Sequence, residues 1–332
     1  MVTENQCGSI GEPSSVCVCD GSSEHSYLDT LAQLRKTDQK HLLSRARAKY
    51  LTQSLARGLA SLGTSLSSSY WNTFHCASKL ALYDDGTTST EYCRNRWCLV
   101  CSRIRIAKCV NDYLPTLSSW PDRHFVTLTV PNVSADLLPD TIQDMFQTFK
   151  RIQEVARKRK APLVGVRKLE CTYNPLRNDY HPHFHVIIQN EEQANLLLSE
   201  WLSRQPLARP VAQDVRLATD GDLIELFKYF TKVLTRTPSS GSVNVYLDSL
   251  DVMFRSLRGR RVFQSFGFKL SDTETEDTET ADSLTARVLL SQFDWFQSVH
   301  DWVNQDTGDL LTGYTPSSTF DALVKSINLP PS

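Results

Sequence analysis

The sequence predicts an α+β chain, and three observations carry that prediction. Between residues 121 and 270, strand-like and helix-like patterns alternate. Two β-prone runs, 164–173 and 181–188, are joined by the turn-rich NPLRNDY, which reads as an antiparallel hairpin. Amphipathic stretches at 140–159, 191–204 and 220–236 have apolar residues at three- and four-residue steps.

Taken in order, residues 1–25 are rich in Ser and Gly, with Cys7, Cys17 and Cys19 scattered among them, and read as a mobile tail. Residues 26–69 form a helical region, because Leu42, Leu43, Ala46, Tyr50, Leu51 and Leu55 keep helical spacing. A cysteine-rich, basic segment follows at 70–112. Residues 113–270 form the domain expected to carry chemistry, with HFVTLTV (124–130) as a strand and VFQSFGF (262–268) as another. Residues 271–285 begin with SDTETEDTETAD, six acids and no base, and read as an acidic linker. Residues 286–332 have some helical pattern and aromatic residues but suggest no role.

Several function classes drop out on composition. The formal net charge of the 332-residue chain is −1, so the global balance does not point to a polyanion. The start lacks a basic stretch followed by an apolar one, and no apolar run approaches the roughly 18 residues of a membrane helix. Nine unevenly spaced cysteines without an export signal fit a reducing cytoplasm and metal-binding or inert thiols. No GxxxxGK[ST] motif is present, so no ATP-driven motor is indicated, and unwinding of a duplex would fall to a host helicase.

Chemistry concentrates in three places. In HPHFHVII, His181, His183 and His185 alternate and therefore share one face of a strand. Three of the chain's eight histidines fall within these five residues, at a spacing that presents neutral nitrogen ligands to a divalent cation. If 164–173 pairs with this strand, Glu170 faces the histidines and adds an oxygen ligand. Two imidazoles and a carboxylate suit Mn²⁺ or Mg²⁺ acting on a phosphate. The third ligand stays open between Glu170 and His181, and His181 has a DNA contact as its other reading.

On a helical wheel of 220–236, Leu223, Leu226, Phe227, Phe230, Val233 and Leu234 gather on one arc, and Glu225, Tyr229, Lys232 and Arg236 on the other. A core tyrosine would sit with the phenylalanines. On the polar stripe, Tyr229 is placed to attack a phosphodiester, Lys232 to offset developing charge and Glu225 to activate water.

Cys76, Cys93, Cys98 and Cys101 have the spacing C-x16-C-x4-C-x2-C, which suits a tetrahedral thiolate site for structural Zn²⁺, with Cys109 as a spare. Cys171 is expected on the core face of its strand. Arg94, Arg96, Arg103, Arg105 and Lys108 interleave with the cysteines. A second basic run contains Arg157, Lys158, Arg159, Lys160, Arg167 and Lys168, expected as DNA contacts, and a third contains Arg255, Arg258, Arg260 and Arg261. One such run is usually a solvated face; three around a metal-and-tyrosine site favour a nucleic-acid substrate.

These residues carry a family resemblance. FVTLTVPN (125–132), YHPHFHVII (180–188) and ELFKYFTK (225–232) resemble, in order, the three motifs of the HUH endonucleases, and most closely those of the replication initiators of small rolling-circle plasmids. FHC…EYCRNRWCLVCSRIR (74–105) and GRRVFQSFGF (259–268) resemble the flanking segments of those initiators. The resemblance covers roughly 70–270. It implies an antiparallel five-stranded sheet with the histidines on a central strand and the tyrosine on a facing helix. It also implies His183 and His185 as metal ligands, Tyr229 as nucleophile, Glu225 as the carboxylate that activates water at termination, and Lys232 near the scissile phosphate. The expected substrate is plasmid origin DNA, nicked through a covalent 5′-phosphotyrosine and then rejoined, with host replication proteins as partners.

Two rivals are weaker. A mobilisation relaxase of the common kind has its tyrosine ahead of the histidines, whereas here it follows them; a single-tyrosine transposase would share the chemistry. A non-enzymatic zinc-containing repressor leaves the Glu–Tyr–Lys stripe unexplained.

Overall fold

A computed structural model of the chain describes residues 36–227, 235–236, 243–270 and 288–327. The expected tail (1–25), the whole of the expected acidic linker (271–285), and Tyr229 and Lys232 lie outside these residues.

The N-terminal region forms α1 (Lys36–Ser61) and α2 (Ser67–Phe74). Leu42, Ala46, Tyr50, Leu51 and Leu55 of α1 are buried, as their spacing predicts, whereas Leu43 is exposed. A hairpin follows, β1 (Lys79–Tyr83) and β2 (Thr88–Thr90), then a loop carrying three cysteines, then α3 (Leu99–Ser118). Neither the hairpin nor the helix stands out in a sequence dominated by cysteines and charge.

The next elements alternate: β3 (His124–Thr129), α4 (Leu138–Lys158), β4 (Gly165–Asn174), β5 (Asp179–Ile188), α5 (Glu191–Arg204), β6 (Asp214–Leu217) and α6 (Asp220–Phe227). The expected helix over 220–236 does not reach its predicted end. Thr235–Arg236 is instead a short strand, β7, paired with β8 (Val243–Asn244). The β-branched residues of TKVLTR and the Thr-Pro step after them work against helix there. Arg236 is therefore not on the helical stripe with Glu225. Then come α7 (Leu247–Leu257), β9 (Phe263–Phe266), β10 (Leu289–Phe296), β11 (Asp301–Asn304) and α8 (Ser318–Ser326). The described residues thus hold eight α-helices, and no helix among them is long and apolar enough to cross a membrane.

Five strands form an antiparallel sheet in the order β6-β3-β5-β4-β9, the α+β arrangement the sequence predicts. The histidine strand β5 is central. Alternation along it separates two cores. Phe184, Val186 and Ile188 point to the face covered by α4 and α5, where Phe184 meets Phe149 and Trp201 edge-on at 5.6 and 5.9 Å. Ile187 points to the other face, where it packs with Phe125 and Val166 under α3 and α6, through Leu117, Leu223 and Leu226. Gly165 is where β4 passes between β5 and β9, and a Cβ there would lie 2.3 Å from the Ile187 carbonyl oxygen.

The second sheet, β11-β10-β1-β2, joins distant parts of the chain. The pairing of β1 with β10 matches Lys79 to Asp294 and Leu80 to Phe293, so the C-terminal segment completes a sheet begun beside the cysteines. Trp302 is fully buried there, 4.8 Å from Trp295, and its Nε1 donates to the Ala77 carbonyl at 2.8 Å. Trp295 donates to Gln53 Oε1 of α1 at 2.6 Å. Truncating the large ring leaves a cavity and an unpaired carbonyl. Trp302→Ala should therefore cost about 3–5 kcal/mol of unfolding free energy, read from urea denaturation by circular dichroism. A loss below about 1 kcal/mol would place this sheet outside the cooperative core.

Candidate functional site

The register of β4 with β5 builds the site. It sets Glu170 opposite His183, Lys168 opposite His185, and Thr172 opposite His181. All these side chains fall on the sheet face toward α3 and α6, because side chains two apart share a face. Glu170 Oε2 lies 3.6 Å from Nε2 of His183 and 3.6 Å from Nε2 of His185. One ligand atom from each of the three residues falls within 4.8 Å of the others.

The remaining ring nitrogens orient the pair. His183 Nδ1 sits 3.1 Å from its acceptor, the His181 carbonyl oxygen, so Nδ1 carries the proton and Nε2 offers a lone pair toward Glu170. His185 Nδ1 lies 3.3 Å from Thr127 Oγ1, on the β3 residue paired with it. The other carboxylate oxygen, Glu170 Oε1, accepts from Lys168 Nζ at 2.5 Å. Burial by itself would raise the Glu170 carboxyl; the facing His183 and His185 side chains and the Lys168 ammonium outweigh it and hold the group well below the usual carboxylate range. An anionic carboxylate beside two imidazoles is a donor set that fits a divalent cation.

His181 is not part of this trio. Its Nδ1 lies 2.8 Å from Asn132 Oδ1, and Asn132 in turn donates to Asp179 at 2.8 Å. Burial, then the neighbouring His183, pushes the His181 imidazole down to about 4, so the ring is neutral at physiological pH. Between the two candidates for third ligand, the geometry brings Glu170 to the histidine pair and leaves His181 beside Asn132.

Other expected residues divide by exposure. Arg157, Lys158, Arg159 and Lys160 are exposed at the end of α4, where Arg159 pairs with Glu200 at 2.9 Å. Arg167 and Lys168, expected among the DNA contacts, are each 3% exposed. Lys168 is turned to Glu170. Arg167, one residue earlier, faces the opposite core, its guanidinium 4.5 to 5.0 Å from the ring centres of Phe146, Phe149 and Phe184 and bonded to Gln264. Burial pushes its pKa down to about 10, so it stays charged as a cation–π centre. A charge run in sequence cannot distinguish these fates; strand alternation could have flagged Lys168 as a neighbour of Glu170.

Glu225 is exposed on α6. The start of that helix is fixed by reciprocal capping: Asp222 accepts from Thr219 N at 2.8 Å, and Asp222 N donates to Thr219 Oγ1 at 3.3 Å. Arg216 of β6 holds Asp222, and Arg123 holds Asp220 at 2.6 Å, tying the helix to the sheet edge. The residue that caps the helix is thus Thr219.

A second constellation lies upstream. The sulfurs of Cys76, Cys93, Cys98 and Cys101 fall within 4.8 Å of one another, with Cys76 and Cys101 at 3.4 Å. Backbone N–H groups of Cys93, Asn95 and Cys101 point at sulfurs, each at 3.4 Å. Hydrogen bonds within the cluster, first that with Cys101, hold the thiols of Cys76 and Cys98 above the ordinary range and pull Cys93 below it. Lys49, buried beneath, donates to the Cys76 and Phe74 carbonyls at 2.6 and 2.9 Å. Four converging sulfurs form a closed donor set of the structural kind. Cys109 and Cys171 stand outside it.

A family model described as "Replication protein" matches residues 86–194, the stretch that contains Cys93, Cys98, Cys101 and the whole of β3, β4 and β5. The chain is similar to the Protein rep of Staphylococcus aureus, 30% identical over 160 residues that cover 42% of this chain and 69% of that relative. It is also similar to the Protein rep of Bacillus sp (30% over 115 residues, 33% of this chain and 36% of the relative) and of Bacillus amyloliquefaciens (28% over 124 residues, 34% and 37%). The chain thus spans about two thirds of the first relative and about a third of the other two. No solved structure matches.

The trio makes a direct prediction. Titrating Mn²⁺ into the full chain by calorimetry should give a binding isotherm that Glu170→Gln weakens by at least about tenfold, since even outer groups around a metal contribute that much. Unchanged affinity in the variant would remove Glu170 from the site.

Proposed function

The chain belongs to the replication-protein (Rep) family, and from that premise we propose that it starts rolling-circle replication of a small plasmid by nicking one strand of the origin. The observation that carries this reading is the convergence of Glu170, His183 and His185 on one sheet face, inside the stretch matched by the family model.

Each side chain has a distinct task in this reading. The Tyr229 phenol oxygen attacks the scissile phosphorus, forms a 5′-phosphotyrosine and releases a 3′ hydroxyl as primer, with the phenolic proton passing to solvent. A divalent cation, Mn²⁺ or Mg²⁺, bound by Glu170, His183 and His185 would polarise the phosphate and offset its developing charge. Lys168 keeps Glu170 ionised and oriented, and the His181 carbonyl keeps Nε2 of His183 available as a donor. Lys232 contacts the scissile phosphate. At termination Glu225 takes a proton from water, the resulting hydroxide attacks the phosphorus of the regenerated nick site, the bond from phosphorus to the 3′ oxygen breaks and that oxygen leaves as a 3′ hydroxyl with the proton from Glu225, so the second cleavage ends without a second phosphotyrosine. The four cysteines hold Zn²⁺ in a structural role. Packing of α6 on the histidine face through Leu223, Leu226 and Phe227 supports the role given to Tyr229, which follows two residues after the last described residue of that helix.

The test uses the full chain, Mn²⁺ and labelled single strands tiled across the origin region of the replicon that carries the gene. Wild type should give a detergent-resistant protein–DNA adduct, and Tyr229→Phe should lower its rate by at least about a thousandfold, the scale of loss for a removed nucleophile. Glu225→Gln should leave the first adduct and slow the second, hydrolytic cleavage by about a hundredfold. An adduct that persists in Tyr229→Phe would sink the assignment.

A further inference from the structure

β6 lies at one edge of the five-stranded sheet, and its outer side has no partner strand among the described residues. It pairs with β3 alone, from His124 opposite Leu217 to Thr127 opposite Asp214. The Ala218 N–H donates to the Arg123 carbonyl at 2.8 Å, which fixes the parity of that ladder. Main-chain groups alternate in direction along an antiparallel strand. Those of Asp214 and Arg216 therefore turn to β3, and those of Val215 and Leu217 turn away from the sheet. The usual protections of an edge are missing from the strand: DVRL contains no Lys and no Pro, and its register with β3 has no bulge. Leu217 is 62% exposed, and Val211, just before the strand, is 85% exposed.

We propose that β6 pairs with β6 of a second copy of this chain about a two-fold axis through Val215, joining two five-stranded sheets into one. Charge pattern and hydrogen-bond parity select this occupant and this register together. With Val215 opposite itself, the two Val215 residues exchange N–H···O bonds across the axis, and each Leu217 N–H reaches the Gln213 carbonyl of the other copy. Asp214 then stands opposite Arg216 of the other copy, twice, because a two-fold interface repeats every contact. These are the positions of an antiparallel pair where side chains come closest, and opposite charges there are favourable. Within one copy Asp214 Oδ2 lies 3.3 Å from Arg216 Nε, while the terminal nitrogens of Arg216 hold Asp222. Pairing thus sets each Asp214 between two arginines. Centring on Asp214 or Arg216 instead would put like charges face to face and oppose main-chain groups already bonded to β3.

The apolar side chains agree with this register. Val215 pairs with Val126 on the face covered by α4 and α5, and Leu217 shares that face by strand alternation. Pairing brings Val215 against Val215 and sets Leu217 beside the segment that carries Val211 of the other copy, withdrawing both exposed side chains from water. A four-residue strand buries less surface than a permanent interface needs, so the association is reversible and depends on concentration. A two-fold axis perpendicular to the sheet keeps each face on its own side, so both histidine faces look the same way. β5 is the third strand from this edge, so five strand spacings of roughly 4.8 Å put the two candidate metal centres about 24 Å apart. The pair thereby presents two such centres on one surface.

Sedimentation equilibrium of the full chain over about 1–100 μM reads the mass, and wild type should move from one copy toward two across that range. Leu217→Pro removes an N–H that turns away from β3, and Asp214→Lys sets a cation opposite Arg216; each should weaken the dimer at least about tenfold. Asp306→Lys, the same change of charge on an exposed turn of the second sheet, should match wild type. Melting by circular dichroism establishes that each variant is folded, and Asp214→Lys, at an exposed side chain, keeps the test readable if Leu217→Pro unfolds. Disulfide capture reads the register. Opposed Cα atoms of a bonded pair lie about 5.5 Å apart, within reach of a disulfide, so oxidised Val215→Cys should give a reducible dimer band beyond that of wild type. Leu217→Cys, about 14 Å from its own copy, should not. A single-copy mass throughout, unchanged dimerisation in a folded edge variant, an equal loss in Asp306→Lys, or equal capture by Leu217→Cys and Val215→Cys would overturn the proposal. Nicking by a protein that stays single would refute the pairing and leave the nickase reading standing.

Discussion

The antiparallel register between β4 and β5 is the constraint on which the rest depends. It sets Glu170 against His183 and Lys168 against His185. Strand periodicity is two, so a slip of one residue would send Glu170 to the far core and bring Arg167 to the histidines. Both faces resist that slip. On one side Phe184 is packed among Phe146, Phe149 and Trp201, and the Arg167 guanidinium sits over three rings. On the other, Ile187 and Val166 pack under α3 and α6. Gly165 admits the close pass between neighbouring strands that a larger residue would block. The polar trio is thus located by apolar packing on both sides of the sheet.

The trio's electrostatics follow from the same register. A buried carboxylate is costly unless paired, and here its two oxygens are divided between a lysine and the imidazole pair. Lys168 makes the carboxylate affordable in a half-buried site, and the histidines' outer nitrogens are already engaged by a carbonyl and a threonine. This is a preorganised donor set: little rotamer freedom is left to lose when a cation or phosphate arrives.

Around this centre the chain closes on itself. β10 and β11 complete the sheet begun by β1 and β2, and the buried Trp302 fixes their meeting to the backbone beside Cys76. The cysteine loop anchored there reaches across to the end of α7 through Arg96. Segments that look separate in sequence, the cysteine-rich stretch, the late basic run and the C-terminal residues, thus share one framework.

By itself the sequence determined the elements whose signal is local. Alternating histidines, the turn-rich NPLRNDY and the amphipathic 140–159 appear as β5, a hairpin loop and α4, because periodicity and turn chemistry are properties of neighbouring residues. The cysteine spacing likewise foretold which four sulfurs converge. Only the tertiary structure decided matters of register and burial. It selected Glu170 over His181 as the partner of the histidine pair, through strand pairing. It turned Arg167 and Lys168 inward to opposite faces, although both belong to a run that reads as one surface patch. It made a strand of Thr235–Arg236, where the helical wheel continued, and brought β10 onto β1 across some two hundred residues of chain. Long-range pairing depends on what the far partner offers, and a single sequence does not state that locally. The histidine strand was therefore legible at once, whereas the choice of its carboxylate partner was decided only when the strands were laid side by side.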